Sequence, residues 1–182
     1  MPAGFPGCPK GVCCLFLACS VSSPGYYASS VEDFYKTTNE HFSFSIEVPA
    51  DWYENCPPIN GDGLGISSPD GLASISFYGF NNVMEGSNAR GLQTLEEYMD
   101  GRGQPIIVDG HLGREVVGPN PYAASASGED DERYKGRWIV LLGLESGRGI
   151  VLIAPPPLFD RYNALLEEML RTYSAEDLDR GG

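Results

Sequence analysis

Positive charge is scarce in this 182-residue chain: 12 lysines and arginines stand against 25 aspartates and glutamates, a net charge of -13. That balance excludes the concentrated basic surface by which proteins hold nucleic acid. It equally excludes a polybasic membrane-surface segment. Histidine is nearly absent, with only His41 and His111, and neither HExxH nor CxxC occurs. The common zinc sites are therefore not expected, and no cofactor is assigned. Cysteine is confined: Cys8, Cys13, Cys14 and Cys19 precede a body whose single thiol is Cys56. A disulfide-stapled fold spreads its cysteines along the chain, so this domain must stand on its apolar core. No apolar run reaches the ~20 residues that span a bilayer. G-x-S-x-G is missing, so a nucleophile elbow is not supported, and nothing in the sequence sets His41 or His111 beside Cys56 as its base. No catalytic residue is assigned. What is present, 42% hydrophobic residues with 20% charged, is the composition of a globular domain.

Acids are missing from residues 1–28, although they are frequent afterwards. Lys10 precedes the apolar run 11–18 (GVCCLFLA), and Cys19 opens a polar stretch ending at Pro24-Gly25. A cationic start, an apolar middle and small residues at the cut are the order of a signal peptide. Residues 15–19 (LFLAC) resemble the lipobox of bacterial lipoproteins, in which the cysteine carries lipid. Cys19 is thus the candidate lipidation site. Phe16 stands where those proteins favour leucine. The expected address is export, either periplasmic or held at the membrane by lipid on Cys19. The bland reading of the same stretch is a disordered tail or a miscalled start codon.

Residues 29–40 read as a linker. Residues 41–48 (HFSFSIEV) alternate strictly, with Phe42, Phe44, Ile46 and Val48 on one face, which predicts a half-buried strand ended by Pro49. Further strands are predicted at 61–67, 73–80, 105–108, 112–118, 133–144 and 150–154. Turn chemistry lies between several of them: Pro69-Asp70-Gly71, Asp109-Gly110 and the glycine-rich 145–149. Thr94 with Glu97 forms a capping box that predicts a short helix at about 95–100. Leu158, Tyr162, Leu165, Leu166, Met169, Leu170 and Tyr173 recur at three- and four-residue spacing, predicting a long amphipathic helix over 158–173. Consecutive strands joined by tight turns imply antiparallel pairing, hence an α+β domain over 41–174. Residues 119–132 (PNPYAASASGEDDE) read as a surface insertion, and 175–182 as a polar tail.

The stretch 42–52 (FSFSIEVPADW) resembles the opening of the PsbP/Mog1-like fold: an aromatic strand, a proline, then tryptophan. Ser68-Pro69-Asp70-Gly71 leading into 73–80, Thr94 to Tyr98 (TLEEY), and the closing strand, hairpin, strand and helix of 138–173 fit the same plan. The resemblance covers about residues 41–174. It implies an α/β/α sandwich around an antiparallel sheet of six to seven strands, and a role that is usually not enzymatic. Its members include extrinsic photosystem proteins, a Ran-binding protein and bacterial envelope lipoproteins; the leader suits the last group, and no photosystem or GTPase role is carried over.

The candidate interaction surface combines aromatic anchors with charge: Tyr78 and Tyr122, read as facing solvent or a loop, and the acidic run Glu129, Asp130, Asp131 and Glu132. That run lacks the alternating spacing and glycine turn of a calcium loop, so it reads as a solvated face. Glu96-Glu97 belongs to helix capping and Glu167-Glu168 to a solvated helix face. Trp52 and Trp138 read as core. The leading expectation is a non-enzymatic exported envelope protein, a lipoprotein acting as a binding or adaptor module for a protein partner, with the membrane met only through its lipid. The alternatives are a hydrolase or small-ligand enzyme with a cleft at a sheet edge, for which His41 or His111 beside a carboxylate would speak, and a cytosolic partner-binding module with a disordered N-terminal tail.

Overall fold

The computed structural model describes residues 33–55, 61–82, 94–119, 133–176 and 178, all within the compact unit Val31–Gly182. Cys19 with the rest of the leader, Cys56 and residues 120–132 of the insertion lie outside the described residues.

Alternation decides most of the strands. The strands are β1 (Phe34–Asn39), β2 (Phe44–Pro49), β3 (Tyr53–Glu54), β4 (Gly63–Ser67), β5 (Ser74–Asn81), β6 (Gln104–Val108), β7 (His111–Pro119), β8 (Lys135–Leu142), β9 (Ser146–Ala154) and β10 (Ser174–Ala175). Two helices, α1 (Leu95–Tyr98) and α2 (Phe159–Leu170), complete the described elements, with a 3-10 turn, Pro156–Leu158, leading into α2. A seven-stranded sheet runs in the order β3-β4-β5-β9-β8-β7-β6, and a three-stranded sheet in the order β1-β2-β10. Every described pairing is antiparallel. The class is α+β, as expected.

The boundaries depart from expectation in several places. Residues 34–39, read as linker, pair along their whole length with β2 as an edge strand. Neighbouring polar residues such as Lys36, Thr37 and Thr38 hide a strand whose order comes from its partner. The strand expected from His41 begins only at Phe44. Asn39 Oδ1 accepts the Phe42 N–H at 2.9 Å, and Ser43 adopts φ 48°, so 40–43 is a tight reversal. This aromatic strand belongs to the small sheet, and the two-residue β3 makes up seven in the large one. The strand ends at Pro49, as expected, with the proline as its last residue; β10 pairs β2 only at Phe44 and Ser45, so no ladder bond is asked of Pro49 on that side. Finally, Gly147 and Gly149, read as loop, lie inside β9, and Ser174–Ala175, at the start of the expected tail, forms β10.

The main core lies between one face of the large sheet, the small sheet and α2. Ile75, Phe77, Ile139, Leu141, Ile150 and Leu152 point from the large sheet toward Phe44, Ile46 and Val48 of β2 and toward Tyr162, Leu166 and Met169 of α2. Helix α2 is shorter than its apolar spacing predicts. The run Pro155-Pro156-Pro157 admits only the 3-10 turn before it. At its other end the Thr172 hydroxyl donates to the Met169 carbonyl and also accepts the Glu47 N–H. That single side chain ties the end of the helix to β2. Asp109, in the positive-φ turn Asp109-Gly110, accepts the Ala175 N–H and holds the C-terminal segment against the far end of the sheet.

Candidate functional site

Two polar constellations and one aromatic row stand out among the described residues. The first is built on the turn Ser68-Pro69-Asp70-Gly71, where Gly71 at φ 69° closes the reversal between β4 and β5. Ser68 is fully buried and donates to Asp70 Oδ1 at 2.6 Å, while its oxygen accepts the Ala73 N–H. Asp70 also accepts the Leu72 N–H at 3.0 Å and the Tyr162 hydroxyl of α2 at 2.6 Å. Partial burial alone would raise the Asp70 carboxyl. The bonds from Ser68, Tyr162 and Leu72 outweigh it and hold the group below its ordinary range. Burial, then the bond to Asp70, raises the Tyr162 phenol. Trp52 meets the Tyr162 ring edge-on at 5.8 Å and is buried, as expected.

The second constellation centres on Arg137 of β8, which is 5% exposed beneath α2. Its Nε donates to Glu115 of β7 at 2.7 Å, and its Nη1 donates to Asn163 at 2.9 Å and to Glu167 of α2. Glu167, expected on a solvated face, is half-exposed and serves this arginine. A buried guanidinium so placed needs its carboxylates, and no sequence spacing signals a pairing across 30 residues.

The aromatic row lies on the opposite face of the large sheet. Tyr78 and Phe80 of β5 stand opposite Gly149 and Gly147 of β9. A Cβ at either glycine would sit inside the facing ring, so glycine lets the rings lie flat across the neighbouring strand. Trp138 Nε1 donates to the Tyr78 hydroxyl at 3.0 Å. Tyr98 of α1 stacks on Phe80 with ring centroids 4.8 Å apart and tilts toward Trp138; burial, then neighbouring Tyr78, raises its phenol. The capping box that starts α1 is present, Thr94 Oγ1 accepting the Glu97 N–H and Glu97 accepting the Thr94 N–H. Its function is now visible: it presents Tyr98 and buried Met99 to the sheet.

Of the candidate surface residues, Tyr78 is half-buried in this row instead of facing solvent, because its ring covers Gly149. Trp138, expected in the core, is half-buried beside it, on the face away from α2. Tyr122, Glu129, Asp130, Asp131 and Glu132 lie outside the described residues, as does Cys19. His41 does stand beside a carboxylate, its Nδ1 3.1 Å from Asp62, but it is 62% exposed on a turn. Among the described residues no three His, Asp or Glu side chains group as metal ligands, and no helix is long and apolar enough to cross a membrane.

Sequence reasoning missed Ser68, Asp70, Arg137 and Phe80 as organising residues. Gly147 and Gly149 were the available signal: two glycines at alternate positions, two places apart, fit a strand running under large rings as well as they fit a loop.

No family model matches the chain, and no curated protein does. Solved structures do. The solution structure of cyanobacterial PsbP (CyanoP) from Synechocystis sp. PCC 6803 matches over 85% of this chain and 98% of its own, with TM-score 0.51 and 10% identity. A crystal structure from Bacteroides thetaiotaomicron VPI-5482 matches over 76% of this chain with TM-score 0.47 and 14% identity; the match spans 46% of that protein's length. With its antiparallel seven-stranded sheet, second small sheet and C-terminal helix, the chain has the PsbP/Mog1-like fold.

Proposed function

We propose that the chain is an exported, non-enzymatic binding or adaptor module of the cell envelope, held at the membrane by lipid on Cys19. Asp70 carries the non-catalytic part of this reading. Its constellation has the residue types of a reactive site, yet Ser68 is sealed from solvent and the carboxylate oxygens accept from Ser68, Tyr162 and the Leu72 N–H. A nucleophile needs a free path and a base with a lone pair to spare; here both groups fasten a turn to α2. His41 and Asp62 form a solvent-open pair, which suits a surface contact better than a water-excluding reaction site. The order of charge and hydropathy in residues 1–28 supports export.

Mass spectrometry of the protein isolated from its native cells tests the address. An N-terminus at Cys19 bearing diacylglycerol is the expected result, with Cys19→Ser releasing the protein from membranes. An intact Met1 overturns export. For the binding role, native-cell pull-downs with and without residues 119–132 should differ in the captured protein; identical captures overturn the part assigned to that loop.

A further inference from the structure

Strand β6 is an end strand of the large sheet, paired among the described residues with β7 alone. Its register carries a consequence. Val108 and His111 close a two-residue turn whose centre, Asp109-Gly110, has φ values of 50° and 78°, the mark of a two-residue primed turn. Val108 and His111 are therefore a hydrogen-bonded pair, and Ile107 and Leu112 the next, non-bonded one. The Ile107 N–H and C=O then point away from β7. Pro105, the other outward position, offers a carbonyl but no N–H. The edge is thus blunted at one residue and open at the other.

The side chains match this backbone opening. Ile107 and Leu112 lie directly across from one another on the face away from α2, 72% and 65% exposed, and no charged residue occurs from 104 to 108. Beside the Gln104 end lies α1. Over residues 94–104 three acids, Glu96, Glu97 and Asp100, stand against Arg102, with Arg114 facing them from β7. Arg102 donates to the Met99 carbonyl, and Arg114 to the carbonyls of Gly101, Arg102 and Gly103, with Glu96 3.8 Å from it. Both arginines serve the loop, while Glu96 and Asp100 are exposed.

We infer that β6 is a docking edge for an extended segment of a partner protein, added antiparallel as an eighth strand, with an apolar residue opposite Ile107 and a lysine or arginine two or more residues later. This deepens the binding-module reading and rests on it. The residue opposite Ile107 exchanges both backbone hydrogen bonds with it and packs on Ile107 and Leu112. The residue two further on donates only to the Pro105 carbonyl, and later ones reach Glu96 and Asp100. A second copy of this chain fits less well. A five-residue strand pairing buries far less than the roughly 1,200–2,000 Å² of a stable interface, and both copies carry -13.

The test is NMR titration of the 15N-labelled full chain with a capped synthetic peptide, TVTKTK, whose two lysines share a face with its valine. Shifts centred on the Ile106, Ile107 and Val108 amides are expected. Ile107→Pro should weaken binding about tenfold, the effect of one lost hydrogen-bond contact. Because that N–H points away from β7, the melting temperature should hold. Ile107→Lys should weaken binding through charge and lost packing while keeping the N–H. Replacing both peptide lysines with glutamate should abolish the charge contribution, and added salt should weaken the lysine peptide. Shifts confined elsewhere, or equal binding by wild type and Ile107→Pro, overturn the inference. So does a concentration-dependent dimer lost in Ile107→Pro, which would make the occupant a second copy, or Ile107-dependent binding to phosphatidylcholine vesicles, which would make it lipid. The outcome is independent of the N-terminus found in native cells, so failure of export and failure of the edge are separable.

Discussion

The two faces of the seven-stranded sheet are built by different rules. The face under α2 is mainly apolar and sealed: Phe77, Ile139, Leu141, Ile150 and Leu152 are buried, and of its two buried arginines Arg137 is matched by carboxylates from two elements while Arg148 donates to Ser146 and the Gly147 carbonyl. The opposite face mixes aliphatic residues with glycine, serine and aromatics: Val140 and Val151 are buried there, Tyr78, Phe80, Tyr98 and Trp138 are half-buried, and Ile107 and Leu112 are exposed. Aliphatic packing on the first face supplies stability in proportion to buried area. On the second, rings lying flat on glycine supply a rigid surface at small loss of rotamer freedom, made of residue types that the proposed binding role would use. Substitutions on the first face should therefore register mainly as stability, and those on the second increasingly as binding.

The largest effect is expected at Leu166, fully buried on α2. Leu166→Ala should destabilise by about 2–5 kcal/mol, the range for a core leucine cavity. A chemical-denaturation midpoint within error of wild type would deny α2 its role as the main cover. Next comes the glycine floor. Gly149→Val forces Tyr78 off its seat and should cost about 1–3 kcal/mol, the usual penalty of overpacking. It should also displace the Tyr78 and Trp138 ring resonances; unchanged ring shifts would refute the seating of Tyr78 on Gly149.

Asp70→Asn should cost about 1 kcal/mol at neutral pH, the order of a partly solvated charge-assisted bond. The pH dependence has a definite sign. The folded carboxyl sits below its ordinary value of 3.8, so its contribution is fully present above about pH 4 and is lost as pH falls through the lowered folded value. Acid melts of wild type and Asp70→Asn should converge below pH 3.8; parallel curves would contradict the assignment. The smallest effect belongs to Ile107→Lys, an exposed position with an expected change within about 0.5 kcal/mol. A larger loss would mean that β6 is covered and not open.

Much of the fold was legible from local chemistry. The capping box at Thr94 and Glu97, the turn at Asp109-Gly110 and the alternation of 73–80 all state their conformation within a few residues, because capping, positive φ and period-two burial are local requirements. The candidate site was legible in part. Tyr78 stands on the face opposite Ile75 and Phe77, as strand alternation requires, but alternation reports only which side a residue faces, never what covers that side. Arg137 was invisible for a related reason: its partners Glu115, Asn163 and Glu167 come from two other elements, and a charged residue inside an apolar strand reads as an interruption. Residues 34–39 looked like linker because an edge strand draws its order from hydrogen bonds with β2 instead of from its own hydrophobicity.

What the sequence by itself determined is the class, the antiparallel connectivity and the acidic, single-thiol body, since these follow from periodicity, turn chemistry and composition. The tertiary structure alone decided which face each apolar strand turns to which neighbour. It made Gly147 and Gly149 a floor for Tyr78 and Phe80, turned Asp70 into an anchor for Tyr162, and left Ile107 at an edge. Those outcomes depend on register between strands distant in the chain, and register is settled by packing and pairing that no single segment contains.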